Sequence, residues 1–220
     1  MGAVALAGQL WVVGGYGARG ATSDVWSWSP STNAWTRRPS LPTARAAGVC
    51  VVLAGRLHYV GGKRGSVELH DHLVYDPSSR RWRSLSPIPT PRDHAAGAVL
   101  GDRLYVAAGR PGDMSVVEAY DPGRDRWDVL PPLPLGRSSV AGAALDGRFL
   151  VIGGEHPREE GVDAEVDAYD PVRHTWTRLP DLAAPRQGIG AAAMDGVLYV
   201  PGGGPAGGGR LQSNVLQELR

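Results

Sequence analysis

The sequence predicts an all-β propeller built from five copies of one repeat, the last of them short by a strand. Three observations predict it. A pair of small residues closes an apolar strand at Gly14-Gly15, Gly61-Gly62, Ala108-Gly109, Gly153-Gly154 and Gly202-Gly203, at intervals of 47, 47, 45 and 49 residues. A tryptophan recurs at Trp35, Trp82, Trp127 and Trp176, and an arginine at Arg45, Arg92, Arg137 and Arg186, both at intervals of 47, 45 and 49 residues. Tyr-Asp-Pro fills one further slot at Tyr75-Asp76-Pro77, Tyr120-Asp121-Pro122 and Tyr169-Asp170-Pro171, where the first copy has Trp28-Ser29-Pro30. Markers this different keep a common register when each period is one structural unit.

Each period reads as four short strands, A to D. Strand A is made of small residues, as in Ala46-Ala47-Gly48-Val49-Cys50, Ala95-Ala96-Gly97-Ala98 and Ala141-Gly142-Ala143-Ala144. Strand B is apolar and alternating, as in Arg56-Leu57-His58-Tyr59-Val60, and ends at the glycines. Strand C ends in Tyr-Asp-Pro, because proline stops a β-ladder and aspartate favours a turn. Strand D begins at the tryptophan and leaves through a proline-rich turn such as Leu133-Pro134. No segment holds a helical period. The residue sizes suit a radial arrangement: small side chains on the crowded inner strand, and tryptophans burying large surfaces between neighbouring blades. The expected blades are residues 1–44, 45–91, 92–136, 137–185 and 186–220 of a single domain.

Composition narrows the function classes. With 220 residues, 31 of them glycine and 18 proline, the chain can bury a core and supply many turns. A formal charge of +1 gives no electrostatic reason to expect nucleic acid or membrane as a partner. The single cysteine, Cys50, has no intramolecular partner for a disulfide. No apolar run approaches the roughly 18 residues of a spanning helix. The stretch Met1 to Val13 lacks a basic segment and reads as strand instead of signal peptide, so with Met1 as the start the expected location is cytoplasmic.

The order apolar strand, Gly-Gly, Tyr-Asp-Pro, Trp, then Pro-x-x-Arg resembles the kelch family, over essentially all 220 residues. The run His70-Asp71-His72-Leu73-Val74-Tyr75-Asp76-Pro77, with Arg92-Asp93-His94 and a late Gly-Gly-Gly, resembles bacterial kelch-repeat proteins of the galactose oxidase and sialic-acid mutarotase superfamily. Two positions depart from the pattern: Ala108 replaces a glycine and Trp28 a tyrosine.

The register also exposes a seam. Each repeat arginine lies 16 residues before its glycine pair, which for the first pair falls ahead of Met1. At the other end, Asn214 to Arg220 matches strand C, with no fifth tryptophan after it. The resemblance implies six blades as usual, so two arrangements are expected. Either the sequence is a piece of a longer protein, or five blades close with a three-stranded last one. The first is favoured, with five blades present in both. An unpaired blade edge would invite self-association.

A residue present in every copy is read as scaffold, and this covers the four repeat arginines. Cys50, in the slot of Gly97, Gly142 and Ala191, is read as a small core residue and not a nucleophile. Function is expected where the copies differ. Two residues past each arginine come Ala47, His94, Ser139 and Gly188, and the loops after strand B carry Lys63, Arg64, Arg110, Asp113, Glu155, His156, Arg158, Glu159 and Glu160. Among these, Arg92, His94, Arg110 and Glu155 are the expected lining of a polar ligand pocket, set against the alternative of solvated loop charges. His70 and His72 would share a face on a strand and, with Asp93 or His94, suggest a metal, although a hydrogen-bonding loop is the favoured reading and no metal or cofactor is expected. The glycine-rich run from Pro201 to Gly209 lacks the Lys-Ser/Thr of a phosphate loop and reads as a flexible connector.

These readings favour a non-catalytic binding module that meets a protein partner through its loop face around a central channel. The alternative, implied by the resemblance, is a carbohydrate-active enzyme of the sialic-acid mutarotase type, using Glu155, His94 and Arg110 as acid–base groups on a small carbohydrate ligand. Copper chemistry of the galactose oxidase type fits poorly, because Cys50 lies in a strand-A core slot. No catalytic residue is assigned.

Overall fold

A computed structural model of the chain describes residues 1–156, 161–209 and 211–219. It is a five-bladed, all-β propeller, with antiparallel blades of four strands and a last blade of three. The first blade is β1 (Gly2–Leu6), β2 (Gln9–Val13), β5 (Val25–Ser29) and β6 (Ala34–Arg38), with a small hairpin of β3 (Tyr16–Gly17) and β4 (Gly20–Ala21) beside it. The second is β7 (Val49–Leu53), β8 (Arg56–Val60), β11 (His72–Asp76) and β12 (Arg81–Leu85), with the hairpin β9 (Lys63–Arg64) and β10 (Val67–Glu68). The third is β13 (Ala96–Leu100), β14 (Arg103–Ala107), β15 (Val117–Asp121) and β16 (Arg126–Leu130). The fourth has longer inner strands: β17 (Ala141–Leu145), β18 (Arg148–His156), β19 (Gly161–Asp170) and β20 (Thr175–Arg178). The fifth holds β21 (Ala192–Met194), β22 (Val197–Pro201) and β23 (Leu216–Leu219).

Two compact units make up the chain: Met1–Asp93 with Asp121–Trp127, and His94–Tyr120 with the residues from Asp128 onward. In the first unit the core is Leu6, Trp11, Val13, Val25, Leu57, Tyr59 and Tyr75, against which Cys50 and Trp82 pack. In the second, Tyr105, Phe149 and Tyr169 gather with the small residues of β13 and β15. A further cluster there joins β17, β18 and β19 to Leu198 and Val200 of β22. Full burial of one such large apolar side chain is worth about 1.5–3 kcal/mol.

The repeat markers turn out to be joints. Each second glycine of a pair donates its amide to the carbonyl of the next repeat arginine: Gly15 to Arg45, Gly62 to Arg92, Gly109 to Arg137 (each 2.9 Å) and Gly154 to Arg186 (2.8 Å). Both glycines of a pair have positive φ, 62° and 89° at Gly61 and Gly62. A Cβ on Gly62 would stand 2.6 Å from the Ala46 carbonyl, so only glycine fits there. Each indole likewise bonds to the preceding blade: Trp82 Nε1 to Pro39 O (2.8 Å), Trp127 to Ser86 O (2.9 Å) and Trp176 to Pro131 O (3.1 Å).

Strand A begins later than its small residues suggest in the second copy. Ala46 forms only an isolated bridge with Lys63, and Ala47 is left-handed at φ 56°, so the strand starts at Val49. The small residues serve the contact between blades instead. A Cβ on Gly142 would stand 2.5 Å from Gly97 N, and one on Gly2 would stand 2.3 Å from the Cys50 Cβ.

Candidate functional site

The four repeat arginines are nearly inaccessible, Arg45 at 1 %, Arg92 at 2 %, Arg137 at 0 % and Arg186 at 5 % exposure. A guanidinium can be buried only when its donors are met. In Arg137, Nε donates to Gly153 O (2.8 Å), Nη2 to Val151 O (3.2 Å) and Asp167 Oδ2 (2.8 Å), and Nη1 to Leu135 O (3.2 Å). Arg45 donates to Thr43 O and to Asp71 Oδ2, both at 3.2 Å. Arg92, in the first unit, repeats the bond to the carbonyl two residues back, at Thr90 (3.3 Å). Its burial and this shared bond make it a scaffold residue like its equivalents.

The position two residues past each arginine has one backbone conformation in all four copies. Ala47, His94, Ser139 and Gly188 have φ of 56°, 51°, 57° and 62°. A left-handed non-glycine residue costs about 1–2 kcal/mol, so the blades hold this turn whatever side chain it presents. In the second unit these slots are chained: Ser139 N donates to His94 O (2.9 Å), and Gly188 N to Ser139 O (2.8 Å).

Ser139 leads to the one cluster in which the expected site residues meet. Glu155, near the end of β18, is 4 % exposed and bridges by its backbone to Ser138. Its Oε1 accepts from the Ser139 hydroxyl (2.7 Å) and from Arg110 Nη2, and its Oε2 accepts from the Gly208 amide (3.2 Å). Arg110 also reaches the hydroxyls of Ser138 and Ser139, both at 3.3 Å. Burial alone would raise the Glu155 pKa. The Ser139 hydroxyl, the Gly208 amide and Arg110 outweigh it and hold the carboxyl below its ordinary value. Arg110 keeps about a third of its side chain accessible, at 32 %, so the cluster has one open flank.

Thus Arg110 and Glu155 come together, His94 joins them through its backbone, and Arg92 serves the scaffold of the first unit. The serines complete the cluster. Ser139 was visible as a variable slot and Gly208 only as part of the glycine-rich run, whereas nothing in the sequence singles out Ser138. The glycine-rich run, read as a flexible connector, makes defined backbone contacts. Gly204 bridges Gln187, the Gln187 amide donates to Ala206 O (3.1 Å), and Gly207–Gly209 form a turn that delivers the Gly208 amide to Glu155.

The other loop residues pair separately. Lys63 Nζ lies 3.2 Å from Asp93 Oδ2, which is fully buried, while Arg64 is exposed and Asp113 half-buried. His156 Nε2 lies 2.7 Å from Asp163 Oδ2, whose pKa burial raises. Arg158, Glu159 and Glu160 lie outside the described residues.

The shared face expected of His70 and His72 is also corrected. His70 precedes β11 and is exposed, whereas His72 is fully buried and hydrogen-bonds His58 at 2.8 Å, with Trp127 edge-on at 5.5 Å. Burial lowers the His58 pKa to about 4 and that of His72 to about 3, so two neutral rings share the bond. Among the described residues, no group of three or more His, Cys, Asp or Glu side chains is arranged to hold a metal ion. Burial pushes the Cys50 thiol up to about 12, which leaves it unreactive.

Two kelch descriptions together match residues 1 to 183 almost without a gap. The KLHDC2/KLHL20/DRC7 Kelch-repeats domain matches residues 1–109, and the Kelch motif matches 91–134 and 136–183. The chain is a kelch-repeat protein. Among solved structures it is similar to that titled "Structure of YjhT", with 19 % identity and a TM-score of 0.80 over 97 % of this chain and 79 % of that one. In all, 358 chains of known structure match it, and a fold by itself assigns no activity. Comparison with the curated proteins gives no match. No helix among the described residues is long and apolar enough to cross a membrane.

Proposed function

We propose that this kelch protein is a non-catalytic binding module, and that the Arg110–Ser139–Glu155 cluster of its second unit forms part of the surface that meets a protein partner. The observation that supports this reading is the engagement of both Glu155 oxygens by donors. Three donors engage its two oxygens and its pKa is lowered. A carboxyl in this state has no proton to give at neutral pH and is a weak base, since effective acid–base groups titrate near the working pH. It is suited instead to fix Arg110 in place. A guanidinium held on one side by a carboxylate and two hydroxyls loses little rotamer freedom when its open flank binds a carbonyl or carboxylate.

A pull-down from cells of the source organism tests this, comparing the wild type with the double variant Arg110→Ala/His94→Ala. Partners retained by the wild type should be lost or reduced roughly tenfold or more by the variant, as for interface anchors. Equal recovery of every partner would remove this face from consideration.

A further inference from the structure

The repeat arginines are not all met in the same way. Three of them donate to the carbonyl two residues back: Arg45 to Thr43 (3.2 Å), Arg92 to Thr90 (3.3 Å) and Arg137 to Leu135 (3.2 Å). Two also have described carboxylates of their own blade opposite them. Asp71 faces Arg45 at 3.2 Å, and Asp167 and Glu165 face Arg137 at 2.8 and 3.5 Å.

Arg186, in the fifth blade, departs from this pattern. The carbonyl two residues back, Ala184 O, accepts from Gln217 Nε2 (3.1 Å), and Gln217 Oε1 accepts from Ala184 N (3.0 Å). Gln217 stands where the fourth blade has Asp167, since Val200 pairs with Gln217 as Val151 pairs with Asp167. A neutral carboxamide thus replaces the carboxylate, and both of its ends are closed onto Ala184. Among the described residues no carboxylate pairs with Arg186, and its Nε is buried with no hydrogen-bond partner. The contrast comes from the residue type at one position inside the repeat. A guanidinium stays protonated, so Arg186 carries its charge at 5 % exposure without a described counter-ion. Taking a charge out of water on those terms is strongly unfavourable.

We propose that Arg186 is the centre of a small-anion site. An oxyanion, either a carboxylate or a phosphate, supplies the charge that Asp167 supplies to Arg137. The planar fork of the guanidinium matches two oxygens of either group. With 5 % of the residue accessible, the ligand that fits is small. This assignment does not rest on the role given to Arg110.

Thermal unfolding of the full chain tests it, in a salt-poor zwitterionic buffer at pH 7 with sodium acetate, phosphate or chloride added. A saturable rise in Tm is expected, roughly 5 °C or more at a hundredfold excess of anion over its Kd. A response to acetate identifies a carboxylate ligand, and one to phosphate a phosphoryl group. Gln217→Glu returns a carboxylate to the position of Asp167 and should abolish the response. Arg186→Met removes the charge, should unfold no earlier than the anion-free wild type, and should be equally insensitive. An undiminished rise in either variant would overturn the proposal and assign the effect to general stabilisation by salts. No saturable rise in the wild type, or a rise with chloride alone, would overturn it as well.

Discussion

At the scale of single residues, burial decides which chemistry each group retains. Arg137 is confined by three carbonyls and a carboxylate, while Arg110 keeps an open flank. The His58–His72 pair carries a pH dependence whose sign follows from its burial. Both rings have lowered pKa values in the folded protein, about 4 and about 3, against 6.5 for the unfolded chain. Below pH 6.5 the unfolded state therefore binds more protons, and stability falls as pH falls, until the folded rings titrate near 4 and 3. Urea unfolding at pH 7 and pH 5 should show a loss on the order of a few kcal/mol from this pair. A His58→Leu/His72→Leu variant should lack that part of the loss. An unchanged pH slope in the variant would contradict the assignment.

At the scale of the element, the joints between blades carry the sharpest contrasts. Gly62→Ala forces a Cβ to within 2.6 Å of the Ala46 carbonyl at φ 89° and breaks the fit beside the Gly62-to-Arg92 bond. It should destabilise by about 2 kcal/mol or more, from left-handed strain and backbone overlap together. The reverse change at the one departure from the pair, Ala108→Gly, relieves an alanine held at φ 65°. It should be neutral or stabilising by up to about 1 kcal/mol. Thermal unfolding of the two variants checks both signs, and equal effects would mean that the pair does not act through backbone conformation.

For the whole molecule, what was legible in the sequence is what recurs. The glycine pairs, tryptophans and arginines sit at fixed intervals because each blade must make the same joint to the next. The five blades and the short last one could therefore be read before any coordinates. Arg110 and Glu155 were legible as residues in variable loops, since neither recurs. Their partner Gly208 was not, because a backbone amide leaves no mark on residue type and its loop differs from every other copy. His70 and His72 misled for a related reason. Alternation predicts a shared face only inside a strand, and β11 begins at His72.

We propose that this kelch protein binds and does not catalyse. Its most direct test is the anomerisation of N-acetylneuraminate followed by NMR, with the wild type and Glu155→Gln. Neither protein should accelerate the exchange beyond buffer. Acceleration by the wild type that disappears in Glu155→Gln would contradict the claim and assign the cluster to acid–base catalysis.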